Sequence, residues 1–244
     1  MNNFERNNSL DFIKWIALLS MIIDHAWYVI PSELQEPFRW MRTIGRLAFP
    51  LFCLAISANV YRQPVGYSGG LNYLGGIFFF ALISQQPYSR FFEGDHLNIL
   101  FTLGLGLVIT QAIHHRKPTL IAAGITALVI AVVYRPILSF GLCGALLPAV
   151  LLLAIQARSE AAVSATWPLA ALLAVLANTG SGLLLWTDLP VTAQTGIATA
   201  ALAPILGLAL LQIRLRLVWP VGTWMYPIYP GHLLLLGLLP LAWV

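Results

Sequence analysis

The sequence has few charged residues. The 13 Lys and Arg and 9 Asp and Glu make up 9% of its 244 residues, against roughly 25% in an average soluble chain. So few charged side chains cannot cover a soluble protein of this size with a polar surface. Their scarcity excludes an ordinary cytosolic enzyme and a disordered chain. Strands that alternate apolar and polar residues are also missing, which excludes a transmembrane barrel.

Cysteine is equally scarce. Cys53 and Cys143 both lie in apolar segments and lack the spacing of a metal or redox site. The basic residues stand singly between apolar runs, so the formal charge of +4 does not indicate a nucleic-acid partner. The first apolar run is too long for a cleavable signal peptide and has no small-residue cleavage site after it. We therefore expect no metal, no disulfide and no nucleic acid.

What the chain does have is apolar sequence: 59% of its residues are hydrophobic and its mean hydropathy is +0.82. A membrane-spanning helix needs about 20 residues. The pattern predicts an all-α, polytopic transmembrane helical bundle that forms a single integral membrane domain over residues 1–244. We expect nine spanning helices, with eight as the alternative, at 10–30, 44–61, 70–87, 97–114, 118–134, 137–156, 166–187, 193–212 and 217–243.

The last of these runs contains four prolines, at positions 220, 227, 230 and 240. Because proline lacks the backbone N–H that a helix needs, we expect this helix to be broken and to face protein or a cavity. The orientation follows from the loops, where basic residues favour the cytoplasmic side. With nine helices, more of the basic loop residues fall on the side that holds the N-terminus, which predicts a cytoplasmic N-terminus and an outward C-terminus. The basic residues on that side are Arg6, Arg62, Arg116, Lys117, Arg158, Arg214 and Arg216.

Ionisable side chains inside a membrane are costly and mark candidate sites. In the first helix, Lys14 and His25 are eleven residues apart and share one face. His25 is the main candidate for chemistry, with a structural histidine as the alternative, whereas Lys14 has a snorkelling lysine as its alternative. Asp24 points about 100° away from His25, and we expect it to pair with Arg46. His232, in the broken last helix, is a second candidate or a packing residue.

The predicted topology brings polar residues of four consecutive helices to the outer level of the membrane. Such convergence indicates a binding site. The residues that join Asp24, His25 and Arg46 there are Ser84, Gln85, Tyr88, Asn98 and Thr102. At the inner level, His114, His115, Arg116 and Lys117 form either a basic anchor or a contact for phosphate groups. Arg62, Arg158, Arg214 and Arg216 lie at the same level.

Four segments in the first 110 residues carry a resemblance to a known family: LDFIKWIALLSMIIDHAW, IGRLAFPLF, FALISQQPY and LNILFTLGLG. In this order they resemble the TraX family, the pilin acetylases of conjugative transfer systems. The segment YPIYPGHLLLL near the end is similar to the last helix of the broader acyltransferase-3 group. The family's motif positions fall on Asp24, His25, Gly45, Arg46, Phe49, Pro50, Ser84, Pro87, Tyr88, Asn98 and Thr102. Gln85 and Gln86 stand where the family usually has one acidic or polar residue.

The resemblance implies transfer of an acetyl group from cytoplasmic acetyl-CoA to the N-terminal amine of a pilin subunit, at the outer side of the bacterial inner membrane. His25 is then the expected base, with Asp24 tuning it. Arg46, Asn98 and Tyr88 are the expected donors around the thioester oxygen. The residues expected to bind the acceptor are Ser84, Gln85, Tyr88, Asn98, Thr102 and His232. Those expected to bind the donor are Lys14, Arg62, Arg116, Lys117 and Arg214.

Three other functions fit the same residues. O-acetylation of a surface glycan or lipid is the alternative within the enzyme class. A transporter also uses a polar layer and a broken helix, although the chain shows no inverted repeat. A non-enzymatic chaperone that holds pilin in the membrane is the third.

Overall fold

A computed structural model describes residues 7–66, 70–179 and 190–239. Within these residues the regular secondary structure is helical, and Leu97 and Leu138 form an isolated bridge rather than a strand. The helices are α1 (Asn8–Ala26), α2 (Trp40–Gly45), α3 (Ala48–Tyr61), α4 (Gly70–Phe92), α5 (Ile99–His115), α6 (Pro118–Val133), α7 (Gly141–Gln156), α8 (Glu160–Thr179), α9 (Val191–Gln212) and α10 (Ile228–Leu238).

Local sequence explains several of these boundaries. Asn7 caps α1, because its side-chain oxygen accepts a hydrogen bond from the Leu10 N–H at 3.0 Å. Asn98 caps α5 in the same way through the Leu100 N–H. Pro118 begins α6, where its missing N–H costs nothing. Several expected bounds differ from the prediction: the helix at 70–87 continues to Phe92, and the one at 217–243 is reduced to Ile228–Leu238, with 240–243 outside the described residues. The one at 44–61 is split into α2 and α3, and the one at 166–187 begins at Glu160, while 180–187 lies outside the described residues.

Consecutive long helices run in opposite directions, which gives the bundle two ends. We call the end where α1 finishes the upper end and the end where α1 begins the lower end. At the upper end, the Leu97 N–H donates to the Ile137 carbonyl across the α4–α5 and α6–α7 connections. At the lower end, His115 contacts Gln63 after α3. Residues 27–45 lie at the upper end as three short 3₁₀ turns followed by α2.

The surface of the bundle is apolar. Ile125 and Val133 of α6 are 59% and 63% exposed, and large apolar side chains are also exposed on α4, α9 and α10. Asn8–Val29, Glu36–Tyr61, Glu160–Thr179 and Val191–Gln212 are long and apolar enough to cross a membrane, and α5, α6 and α7 are shorter apolar helices. An all-α membrane bundle is therefore confirmed. How many of the nine expected crossings are complete stays a prediction.

The last predicted helix is broken, as its prolines indicate. Residues 213–222 leave the lower end as non-helical chain along α1, and α10 begins only at Ile228. Side chains of α1 bind the freed carbonyls: Trp15 Nε1 donates to the Trp219 carbonyl at 3.1 Å, and Asn8 donates to those of Leu215 and Arg216. Irregular backbone at membrane depth is stable only with such partners.

Candidate active site

Two histidines from opposite ends of the sequence meet near the upper end. His25 lies in the last turn of α1, and His232 is buried in α10. The His25 Nδ1 and His232 Nε2 atoms are 2.7 Å apart, and the two rings are nearly parallel, with an angle of 13° between them. Phe92 of α4 stands edge-on to His25 at a centroid distance of 5.2 Å. The structure thus joins the two histidines that the sequence singles out separately.

The hydrogen bonds of this histidine pair fix which nitrogen carries each proton. His232 Nδ1 lies 2.8 Å from the Ile228 carbonyl oxygen, and a carbonyl can only accept. In neutral His232, Nδ1 therefore holds the proton and Nε2 is the acceptor. His25 Nδ1 must then donate to His232 Nε2, which leaves His25 Nε2 with a free lone pair. That arrangement is the one a general base needs, because the second ring nitrogen is held by an orienting partner.

The prediction that Asp24 pairs with Arg46 is wrong, because Asp24 pairs with a different arginine. Asp24 binds Arg42, whose Nη1 is 2.7 Å from the Asp24 Oδ2 atom. The Arg42 guanidinium also lies over the Tyr28 ring at 4.7 Å and the Trp27 ring at 5.5 Å. Sequence reasoning missed Arg42 because the helix was expected to start at 44, which left Arg42 in a loop. The signal for it was the basic stretch at 39–46.

Gly45 explains how α2 comes so close to α1. A Cβ atom on Gly45 would clash with the Asp24 carboxylate, so any larger residue here would push the two helices apart. Arg46 follows at the bend before α3 and points the other way. Its Nη1 donates to the Asn178 side-chain oxygen of α8 at 3.2 Å, and its stem packs on Gly196 of α9.

Arg46 lines an upper cavity of about 490 Å³, which we call the arginine pocket. The polar residues of its wall that matter here are Trp27, Arg39, Arg42, Arg46 and Asn178. Glu36 also lines the pocket and forms a salt bridge with Arg39.

The polar residues of α4 and α5 form a separate network at the upper end. Gln85 Oε1 accepts from both the backbone N–H and the side-chain amide of Asn98, at 2.9 and 3.0 Å. The Tyr88 hydroxyl lies 3.0 Å from that of Ser139, and the Thr102 hydroxyl donates to the Ser139 carbonyl. Ser84 is buried and donates to the Phe80 carbonyl. These side chains hold α4, α5 and the chain before α7 together, and their role in acceptor binding stays a prediction.

A second cavity, which we call the lower cavity, has a volume of about 600 Å³. Its lower wall holds Lys14 and Arg62, together with Asn59, Gln63 and Asn72. Its upper wall holds Met21, one helical turn before His25, and Tyr229, whose ring centroid is 5.5 Å from that of His232. The cavity thus extends from basic residues at one end of the bundle to side chains that neighbour the histidine pair, although neither His25 nor His232 is itself a lining residue.

The remaining residues expected to bind the donor are placed differently. Arg116 and Arg214 are exposed at the lower end, and Lys117 is half-buried there. None of these three lies among the described residues that line the lower cavity. Lys14 forms an ion pair with Asp11 at 3.6 Å inside it. Among residues 7–66, 70–179 and 190–239, no group of three or more His, Cys, Asp or Glu side chains stands close enough to hold a metal ion.

The fold and these residues define a polytopic helical membrane protein with a buried histidine pair between two cavities that each contain arginine side chains. Comparison with known families gives its particular group. The TraX family, described as TraX protein, matches residues 9–240, and the chain belongs to this family.

Individual relatives agree with this assignment. Protein TraX of Escherichia coli is 28% identical over 247 residues, which cover 95% of this chain and 87% of that protein. Protein TraX of strain K12 is likewise 28% identical, over 246 residues with the same coverage. The probable fimbrial assembly protein FimC, serogroup H1, of Dichelobacter nodosus is 28% identical over 118 residues, 42% of this chain and 47% of that protein. No solved structure matches the chain significantly.

Proposed function

We propose that this protein is a membrane-embedded acetyltransferase that moves an acetyl group from acetyl-CoA to the N-terminal amine of a pilin subunit. The observation that carries the proposal is the histidine pair, which lies next to Tyr229 in the upper wall of the lower cavity. Membership of the TraX family, which the sequence resemblance ties to pilin acetylation, supports the choice of reaction and acceptor.

The lower cavity suits a long, phosphate-bearing donor. Its lower wall holds two cations for phosphate oxygens, Arg62 and Lys14, of which Lys14 also pairs with the Asp11 carboxylate. Lys14 and His25 lie on one face of α1, separated by about 16 Å at about 1.5 Å per residue. A CoA thioester that enters at the lower end would extend its pantetheine arm along α1 and bring the acetyl group to the histidine pair.

The chemistry at the pair is a proton-coupled acyl transfer. The acceptor nitrogen attacks the thioester carbonyl, and His25 Nε2 takes a proton from that nitrogen as the new C–N bond forms. The C–S bond then breaks, and the protonated His25 returns the proton to the CoA sulfur, so that an acetylated amine and CoA thiol leave. Throughout, His25 Nδ1–H donates to His232 Nε2, which makes His232 a positioning residue for the base.

Of the donors expected at the thioester oxygen, Tyr88 is the one linked to His25 by ring packing, although its hydroxyl already bonds that of Ser139. Its ring packs on Phe92 at a centroid distance of 4.8 Å, and Phe92 packs on His25. The side-chain amide of Asn98 already donates to the Ala81 carbonyl and to Gln85. Arg46 points into the arginine pocket instead.

The proposed location is the bacterial inner membrane, with the lower end cytoplasmic and the upper end outside. The excess of basic residues at the lower end supports this orientation. It places Lys14 and Arg62 on the side that holds acetyl-CoA, and the arginine pocket on the side where a processed pilin presents its amine.

His25→Ala tests the proposal. Removing a positioned general base lowers a rate by about 10²–10⁴-fold, and we expect that loss in pilin acetylation by purified protein with labelled acetyl-CoA. Because His232 then loses a hydrogen-bond partner, thermal unfolding of the purified variant must show that it is folded. His232→Ala should cost less, since it removes only the partner that orients the base.

The matched control is His96→Ala, which removes an exposed histidine at the same end of the bundle. It should acetylate at the wild-type rate. Normal acetylation by well-folded His25→Ala, with loss in His232→Ala, would move the base to α10. Acetyl-sized mass on a glycan or lipid rather than on pilin would favour the O-acetyltransferase alternative.

A further inference from the structure

The described residues that line the arginine pocket carry a net positive charge that the transfer reaction does not use. Among the described residues, Arg39 pairs with Glu36 and Arg42 with Asp24, while Arg46 donates to the neutral Asn178 side chain. Three arginines thus face two carboxylates. The guanidinium fork of Arg46 matches the geometry of a carboxylate or a phosphate.

Trp27 adds a second donor to the pocket wall. Its indole N–H is buried and has no hydrogen-bond acceptor among the described residues. An indole N–H can only donate, and a buried donor without a partner costs free energy. Trp27 and Arg46 both donate hydrogen bonds, so a ligand that binds them must carry acceptor atoms. A cationic group such as a free ammonium has no acceptor atoms and does not meet this requirement.

One side chain connects the arginine pocket with the histidine pair. Tyr28 lies under the Arg42 guanidinium on one side and packs on Phe92 at a centroid distance of 5.1 Å on the other. Phe92 in turn packs on His25. Asp24 and His25 are consecutive residues, so the two sites flank the same turn of α1.

We infer that the arginine pocket binds a carboxylate of the acceptor polypeptide and holds that polypeptide across Tyr28, so that its amine reaches His25. This inference rests on the proposed function and adds a specificity rule to it. The accepted substrates carry Asp or Glu a short distance from the N-terminus. The distance to cross is about one helix diameter, 10–12 Å, which three or four extended residues span.

The experiment compares pairs of synthetic peptides that have a free N-terminal alanine and differ only by Glu or Gln at one position. The position is scanned from 2 to 8, and kcat/KM for N-acetylation is measured with the full-length protein in detergent. At one or more positions we expect kcat/KM for the Glu peptide to exceed that for the Gln peptide by about tenfold or more. This factor corresponds to the free energy of a charge-assisted hydrogen bond. Arg46→Gln should bring that ratio to about one, whereas Arg46→Lys should restore only part of it.

Arg135→Gln is the matched control, because Arg135 is exposed at the upper end and outside the pocket lining. It should leave the ratio unchanged. Equilibrium binding of the same peptides, labelled at the C-terminus, gives the ratio of their Kd values. That ratio measures the preference for Glu over Gln even in a variant that has lost turnover.

Three results would overturn the inference. One is equal use of all Glu and Gln pairs by the wild-type protein. Another is a higher KM for acetyl-CoA in Arg46→Gln, which would make the pocket a donor phosphate site. The third is an Arg46-dependent requirement for anionic vesicles without peptide discrimination, which would make the ligand a lipid phosphate. If no peptide is acetylated at all, the proposed function itself fails.

Discussion

At the residue scale, the pair of Asp24 and Arg42 shows how this protein keeps charges inside an apolar bundle. The two side chains are only 20% and 26% exposed. Arg42 gains a carboxylate and two aromatic faces, and Asp24 gains the cation it needs away from water. Removing one partner leaves the other charge poorly solvated, so each residue protects the other.

Arg42→Ala should therefore destabilise the protein more than Arg46→Ala, by about 1–3 kcal/mol. The cause is the Asp24 carboxylate that loses its cation, while the loss of Arg46 leaves the pair with Arg42 in place. Thermal unfolding of the purified variants measures the difference. Adding Asp24→Asn to Arg42→Ala should recover part of the loss, because the uncompensated charge is then gone. A double variant that is no more stable than Arg42→Ala would contradict this account.

The sequence identified His25, Asp24 and Arg46 as interior residues because single ionisable groups in an apolar helix are easy to recognise. It also predicted the break before α10 from the prolines. It did not predict which residues touch. Asp24 and Arg42 meet because the chain turns back between α1 and α2 and Gly45 lets α2 pack closely on α1, and His25 and His232 meet across 207 residues. Both facts depend on tertiary packing, which local sequence patterns do not encode.

At the element scale, the connection after α3 is held by two adjacent histidines at the end of α5. His114 Nε2 donates to the Gln63 carbonyl at 2.9 Å, and His115 Nε2 donates to the Gln63 side-chain oxygen at 3.2 Å. The Gly66 N–H donates to His115 Nδ1 at 3.2 Å. Because Arg62 and Gln63 line the lower cavity, these bonds set the position of its wall.

His115→Ala should raise KM for acetyl-CoA about tenfold, with kcat close to normal. Two hydrogen bonds that position residues 63 and 66 are lost, while the histidine pair at the other end is untouched. Steady-state kinetics separate the two constants. The heat stabilisation of the purified protein by acetyl-CoA should also fall, because stabilisation by a ligand at a given concentration decreases logarithmically as its Kd rises.

His115→Gln keeps a side chain that can donate and accept, so it should recover much of the donor affinity. A purely structural effect would instead lower the unfolding temperature without acetyl-CoA and leave KM unchanged. A fall in kcat with KM unchanged would place His115 outside donor binding.

At the scale of the whole molecule, the two cavities lie toward opposite ends of one bundle, with the histidine pair between them. The lower cavity holds Lys14 and Arg62, and the arginine pocket lies among residues 27–46 and the facing ends of α8 and α9. A donor and an acceptor from opposite sides of a membrane would each have a separate entrance. The reaction would need no movement of the whole bundle.

Topology reporters test this arrangement directly. A reporter fused near Lys117, at the lower end, should lie in the cytoplasm, and one fused after Val244 should lie outside. The reason is the larger number of basic residues at the lower end. Alkaline phosphatase and fluorescent-protein fusions distinguish the two sides. Both reporters on one side would contradict the odd number of crossings and remove the argument for separate entrances.

The path of residues 213–222 along α1 has a consequence for biosynthesis. α1 emerges from the ribosome first, yet its Asn8 and Trp15 side chains bind carbonyls that are synthesised some 200 residues later. During translation these polar groups, and His25 with them, must rely on temporary partners such as lipid headgroups, water or the insertion machinery. The histidine pair forms only after residue 232 has been synthesised. If the pair acts as proposed, chains that terminate early would be inserted but inactive, and acetylation would report on the completion of synthesis.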